Sequence, residues 1–213
     1  MTTSDPLMPR KRPRQRRSRA TVEAILEATA RVLVQEGFDR ASTNRIAKVA
    51  GVSVGSLYQY FPSKEALIHE LVRRHCDQMV GMLARSVDDL GDAPIDEAVR
   101  SYVRALVAAH AMAPELHRVL ITQAFHVGFD FVAAIEDRAR SIVREYLDQH
   151  RDEILPDDTE LAAFVLVATV ESITHRVLLG PVEYLESGAL VDEICAVVLR
   201  YLLGHNPSDS SLS

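Results

Sequence analysis

Residues 42–68 read STNRIAKVAGVSVGSLYQYFPSKEALI. Hydroxyl, amide and cationic side chains crowd this stretch: Thr43, Arg45, Ser53, Ser56, Tyr58, Gln59, Tyr60 and Lys64, with Gly55 among them. These groups donate and accept hydrogen bonds and carry positive charge. At 100° per residue from Ser53, Leu57 falls at about 40° and Phe61 at about 80°, whereas Gly55 falls at about 200° and Gln59 at about 240°. Leu57 and Phe61 are therefore expected to anchor a short helix, with Gly55 and Gln59 on its opposite face between Ser56, Tyr58 and Tyr60. The major groove of a DNA duplex accepts such a face. Gly55 permits close backbone approach, Gln59 can pair with base edges, preferentially adenine, and the tyrosine hydroxyls can donate to phosphates on the two groove walls. Lys64 and the amides at the start of the next helix suit a further phosphate, as do Thr43 and Arg45.

Two helices must hold these groups. The first of the pair starts with Ser42 or Thr43 as N-cap, buries Ile46, Val49 and Ala50, and ends before Gly51. Ser53 caps a two-turn helix from Val54 to Phe61, which Pro62 prevents from continuing. The connection Gly51-Val52-Ser53 is short and contains glycine, the pattern of a helix-turn-helix. Ahead of it, Val22, Ile25, Leu26, Thr29, Val32 and Leu33 form one stripe of a helix from about Arg19 to Glu36, which Gly37 stops as a left-handed residue. Behind it, Ser63 caps a long helix from Lys64 to about Asp89, with Leu67, Leu71, Val72, Met79, Val80, Leu83 and Val87 on one side. Five further helices are expected at roughly 95–112, 115–124, 129–150, 158–179 and 189–203, punctuated by prolines. No stretch alternates as a strand does, so the fold class is all-α. The helix at 158–179 contains LAAFVLVATV and is apolar all round, which suggests burial on two sides, the second against another subunit.

Charge is divided along the chain. Residues 1–75 carry 14 Lys/Arg and 7 Asp/Glu, a balance of +7, and residues 76–213 carry 10 and 23, a balance of −13. Only the first third is suited to a polyanion. Seven of the ten residues 10–19 are Arg or Lys; residues 1–18 read as a disordered basic arm able to lie along phosphates or enter a minor groove, or simply to raise the on-rate. The last nine residues read as a frayed tail. Cys76 and Cys195 sit in apolar helical patterns without a CxxC partner and read as thiols rather than a disulfide or metal site. No apolar run approaches the ~18 residues of a membrane span, and the basic N-terminus lacks the apolar stretch of a signal peptide. A cytoplasmic protein without a membrane partner is expected, located at the nucleoid when bound to DNA.

The segment ILEATARVLVQEGFDRASTNRIAKVAGVSVGSLYQYFPSKEALIHELV, residues 25–72, resembles the N-terminal domain of the TetR/AcrR transcriptional regulators in a match that covers about residues 19–72, most specifically in AGVSVGSLYQYFPSKEAL. The resemblance implies an all-α homodimer that binds a palindromic double-stranded DNA operator and usually represses. It implies that Thr43, Ser53, Ser56, Tyr58, Gln59, Tyr60 and Lys64 face DNA. The last two helices would build a four-helix dimer interface, and the middle helices would surround a pocket for a small-molecule effector. The expected domains are a helix-turn-helix domain at 19–65 and a ligand-binding and dimerisation domain at 66–204, with the tail at 205–213. A ligand that tilts the long fourth helix would alter the separation of the two reading helices.

Pocket candidates are polar or soft residues within apolar helices: Met79, Tyr102, His110, Phe125, Phe129, Glu171, Thr174 and His175. Each has a plainer role open to it: core packing for Met79 and the phenylalanines, a core cap for Tyr102, and a surface or interface pair for Glu171 and His175, spaced i, i+4. No third ligand for a metal is evident beside that pair, and neither a metal nor a cofactor is expected. The mostly apolar helices suggest an apolar or amphipathic effector. No GxSxG, HExxH, P-loop or Rossmann fingerprint occurs, so no catalytic residue is expected. An activator or ligand-independent regulator of the same fold, and a nonspecific nucleic-acid binder driven by the arm, remain alternatives.

Overall fold

The computed structural model describes residues 16–88, 93–127 and 129–204, with the side chains of 87–88, 123–127 and 129–135 set aside. Most of the basic arm, the C-terminal tail and the side chains of Val87, Phe125 and Phe129 thus lie outside the described residues. The described residues are all-α, with no strand among them: α1 (Arg16–Glu36), α2 (Thr43–Ala50), α3 (Val54–Tyr60), α4 (Lys64–Asp88), α5 (Ile95–Ala111), α6 (Pro114–Val127), α7 (Phe129–Gln149), α8 (Thr159–Leu179) and α9 (Gly188–Leu203). Short 3-10 turns at Arg151–Glu153 and Val182–Glu186 were not anticipated from periodicity. Helix α1 is already formed at Arg16, the first described residue, ahead of the expected Arg19; Thr21 Oγ1 donates to the Arg17 carbonyl at 3.1 Å. Helix α6 begins on Pro114, whose missing N–H loses nothing at a first helical position.

Contacts divide the chain into two units, residues 1–76 with 115–129 and residues 77–114 with 130–213. In the first, α1 packs on α2 and α2 on α3. Val22, Ile25, Leu26, Ala28, Thr29, Val32 and Leu33 of α1 are buried, and Ile46 and Ala47 are the buried residues of α2. Ala47 therefore takes the inner position expected of Val49 and Ala50, which are half-buried. Ser42 caps α2 by accepting from the Arg45 N–H, Ser53 caps α3 by accepting from the Ser56 N–H, and Ser63 caps α4 by accepting from the Ala66 N–H. Glu70, almost wholly buried on α4, takes hydrogen bonds from Arg73 and Arg74, and Arg74 also reaches Glu23 of α1. Burial alone would raise the Glu70 carboxyl, but the two guanidinium groups hold it below its ordinary value.

In the second unit α5 packs on α8 and α9, and the turn at 182–186 packs on all three, with Leu185 buried. Cys195 is fully buried and both cysteines are free thiols. Helix α8 is long and apolar enough to cross a membrane by length and composition, contrary to the expectation that no run would be. Ala162, Ala163, Leu166, Val167, Val170, Thr174, Val177 and Leu178 instead place much of it in the core of this unit.

The turn between α2 and α3 depends on Gly51, which adopts φ 68° and returns its N–H to Ala47 and Lys48. A methyl group there would meet nothing within 4 Å, so only the left-handed backbone opposes it. Gly51→Ala should therefore destabilise the fold by roughly 1–2 kcal/mol, read as a lower urea midpoint with an unchanged slope.

Candidate functional site

Two anchors present α3. Leu57 and Phe61 are 0% and 1% exposed, and the caps at Ser53 and Phe61 hold the ends of the helix. Gly55 and Gln59 emerge exposed on the other side, and among the described residues the Gln59 side chain makes no hydrogen bond. Tyr58 is exposed, whereas Ser56 and Tyr60 are half-buried.

The remaining polar groups brace one another. Thr43 Oγ1 lies 3.0 Å from the Tyr58 hydroxyl, linking the start of α2 to α3. Ser53 Oγ, besides capping, lies 2.8 Å from Ser56 Oγ. Arg45 Nε donates to Glu36 Oε1 at 2.7 Å. Lys64 Nζ donates to the Phe38 carbonyl at 3.1 Å and sits 3.9 Å from the centroid of the Phe38 ring. Phe38 and Glu36 were not identified from the sequence as neighbours of this site; both act from more than eight residues away, beyond any local periodicity. Their effect is to restrict two long, flexible cationic side chains.

The pocket candidates separate. Within the second unit, an apolar cavity of about 50 Å3 is lined by residues including Tyr102, Val143, Leu147, Leu166, Val170 and Val198. Burial pushes the Tyr102 phenol well above its ordinary value, and the charge of Glu171 adds to this. A second cavity, about 200 Å3, lies between α7 and α8 and is lined by Glu136, Arg140, Phe164, Val167, Ala168, Glu171, Ser172 and His175. It brings Glu171 and His175 together as their i, i+4 spacing requires. Burial pushes the Glu171 carboxyl up to about 7, with Glu136 contributing, and pushes the His175 imidazole down. Arg140 pairs with Asp137 on its own helix and lies near Glu160 at 3.9 Å.

His110 is buried, with Nδ1 2.8 Å from the Leu106 carbonyl and its ring centroid 5.2 Å from that of His175. Thr174 is fully buried and donates to the Val170 carbonyl at 2.7 Å, which makes it an internal brace of α8; it lines neither cavity. Met79 is half-buried and also lines neither. In the first unit, His75 Nε2 lies 2.7 Å from His117 Nδ1, a buried pair across elements that spacing could not reveal.

Two family models match. Residues 25–71 match the model for bacterial regulatory proteins of the tetR family, and residues 94–202 match the tetracyclin repressor-like C-terminal domain. The nucleoid occlusion factor SlmA of Vibrio cholerae is 27% identical over 184 residues, 83% of this chain and 92% of the relative. Among solved structures, the fatty acid degradation regulator FadR of Bacillus halodurans superposes with a TM-score of 0.68 at 20% identity, over 89% of this chain and 96% of that one. SmeT, the repressor of the Stenotrophomonas maltophilia multidrug efflux pump SmeDEF, superposes with a TM-score of 0.67 at 21% identity, over 87% and 91%. Both show the same fold.

The raised Glu171 carboxyl has a consequence for stability. The folded chain keeps this proton up to about pH 7, whereas an ordinary carboxyl releases it near 4.5. Stability at this site is therefore lost as pH rises from 4.5 toward 7, and the penalty is complete above that window. Glu171→Gln removes the penalty. Its unfolding free energy should exceed that of the parent by about 1–3 kcal/mol near pH 8, an advantage that shrinks toward pH 5 in urea titrations.

Proposed function

Because the chain belongs to the tetR family of bacterial regulatory proteins, and is thereby a DNA-binding transcriptional regulator, we propose that it is a homodimeric repressor released from a palindromic operator by a small molecule. The observation that carries this reading is the outward face of α3. Gly55 and Gln59 stand exposed opposite the buried Leu57 and Phe61 on a helix short enough to enter the major groove end to end. Gln59 reads a base edge. Thr43, Ser53, Ser56, Tyr58, Tyr60 and Lys64 position the helix against phosphates, with Arg45 beside them.

One seven-residue helix reads few bases, so two copies must act together. The surface for that lies on α8 and α9, where Leu161 and Leu179 on one helix and Val197 and Tyr201 on the other are exposed. Large apolar side chains repeated at helical spacing on adjacent outward faces suit a four-helix seam related by a two-fold axis. Release is the work of the second unit: a ligand that binds better to the DNA-incompetent state by ~1.4 kcal/mol shifts occupancy tenfold. Helix α4 contributes residues to both units without a break and is the element through which that preference would act. SmeT is named a repressor, which supports repression here, and SlmA, named for nucleoid occlusion, supports a cytoplasmic protein held at the nucleoid.

Operator affinity should fall by roughly 10³-fold between 50 and 200 mM salt in gel-shift titrations, because phosphate contacts dominate. Gln59→Ala should relax the preference at one base position per half-site by about 1–3 kcal/mol, while removal of Arg10–Arg17 weakens all sequences alike. A salt-independent complex, a Gln59→Ala protein of unaltered preference, or a monomer at micromolar concentration in sedimentation would overturn the reading.

A further inference from the structure

We infer that the cavity between α7 and α8 binds a small organic cation, an ammonium group held by Glu171 and Glu136 with its apolar part against Phe164 and Val167. The inference rests on the reading of the second unit as the effector-binding one and names the class of effector.

Space comes first. The cavity holds about 200 Å3, whereas a single water needs roughly 10–15 Å3, so an organic molecule fits and a lone solvent molecule does not fill it. The apolar cavity nearby, at about 50 Å3, is too small for the same guest.

Charge comes second. Glu136 and Glu171 line the cavity together with Arg140. Arg140 is paired with Asp137 and lies 3.9 Å from Glu160, so two carboxylates already share its charge. Its guanidinium carbon lies 5.9 Å from the centroid of the Phe164 ring. His175 is held toward its neutral form by burial. Tyr102, which faces Glu171 from α5, keeps its proton, and His110 beside His175 is buried. Among the described residues Glu171 has no hydrogen-bond or ion-pair partner, and the lining sets two carboxyl groups against the one guanidinium of Arg140. An anion would be repelled, and a neutral guest would leave the half-buried carboxylate unsatisfied. A hard cation such as Ca2+ or Mg2+ takes six or more oxygen ligands, which two carboxylates and Ser172 among apolar walls do not supply. An ammonium attached to an apolar body satisfies both halves of the lining, and Phe164 offers it an aromatic face.

The cation competes with a proton. With Glu171 raised to about 7, part of the population holds a proton where the ammonium would pair. Binding must release that proton, and affinity must rise with pH across neutrality.

Isothermal titration of the full-length protein with three probes of one shape decides the matter: 2-phenylethylamine, 2-phenylethanol and phenylacetate. The amine should bind at least tenfold more tightly than the alcohol near pH 8, phenylacetate should bind more weakly than either, and amine affinity should fall severalfold toward pH 6 with proton uptake and release visible in buffers of different ionisation heat. Glu171→Gln should abolish both the amine preference and the pH dependence while leaving alcohol affinity within about twofold. Glu136→Gln should weaken the amine and keep the pH dependence. Equal binding of amine and alcohol by the parent protein, or an amine preference that survives in Glu171→Gln, overturns the inference. The parent series with three probes stands even if a variant folds poorly. The same probes added to an operator complex separate the two readings. An amine that binds as described but leaves the operator bound removes the effector role and keeps the cation site. Release by phenylacetate, with no amine binding, removes the cation site and keeps the regulator.

Discussion

A helix of seven residues is below the length at which an isolated helix holds together in water, so α3 exists because of what it buries. Leu57 and Phe61 lie one turn apart, both almost wholly buried, and Ser53 caps the end that precedes them. Removing either anchor leaves one turn of helix with no reason to persist. The DNA-facing geometry is downstream of this packing. Gln59 is outward because Leu57 and Phe61 are inward, and no independent interaction orients its side chain. Gly51 acts on the same constraint from the other side, since its left-handed backbone sets where α3 starts relative to α2.

Polar groups around α3 are arranged by cross-element bonds rather than by their own helix. Thr43 and Tyr58 join α2 to α3, Arg45 reaches back to Glu36, and Lys64 is held by the Phe38 carbonyl and ring. Each is individually weak, because exposed pairs contribute about a kcal/mol or less. Their joint effect is geometric: hydroxyls and cations that would otherwise sample many rotamers occupy one arrangement. To contact a phosphate as proposed, Lys64 and Arg45 would have to exchange these partners or share them.

What could be read in the sequence follows from how local each cause is. Helix boundaries in the first unit were legible because serine caps, Gly51 and Pro62 act within a few residues, and the inward set of α1 was legible from a 3.6-residue period. The inner face of α2 was read with Val49 and Ala50 in the place of Ala47: its eight residues give too little period to choose Ala47, and packing against α1 makes the choice. The exposed stance of Gln59 followed from the wheel. Phe38 beneath Lys64, Glu36 beside Arg45 and the His75–His117 pair were illegible, since each depends on chain folding over distances that carry no periodic signal. In the second unit, Glu171 and His175 share a cavity as i, i+4 neighbours should, but Thr174 looks the same in sequence and is an internal brace. A polar residue in an apolar helix shows only that something satisfies it; which partner does so is decided by neighbouring helices.

Helix α8 shows why a helix need not be amphipathic to have distinct faces. Leu166 and Val170 line the apolar cavity, Phe164, Val167, Ala168, Glu171, Ser172 and His175 line the polar one, and Leu161 and Leu179 look outward. Apolar side chains thus face every side of the helix, which gives it the composition of a membrane span. The exception is Glu171, a carboxyl placed where burial opposes its charge. Retaining a group that destabilises the fold above neutral pH is unfavourable for stability alone, and replacement by an uncharged side chain of similar volume would remove the penalty. Glu171 lines the cavity, so a cationic guest there would offset the same charge that weakens the fold. Under the proposed cation site, stability and ligand selectivity would oppose each other at one residue.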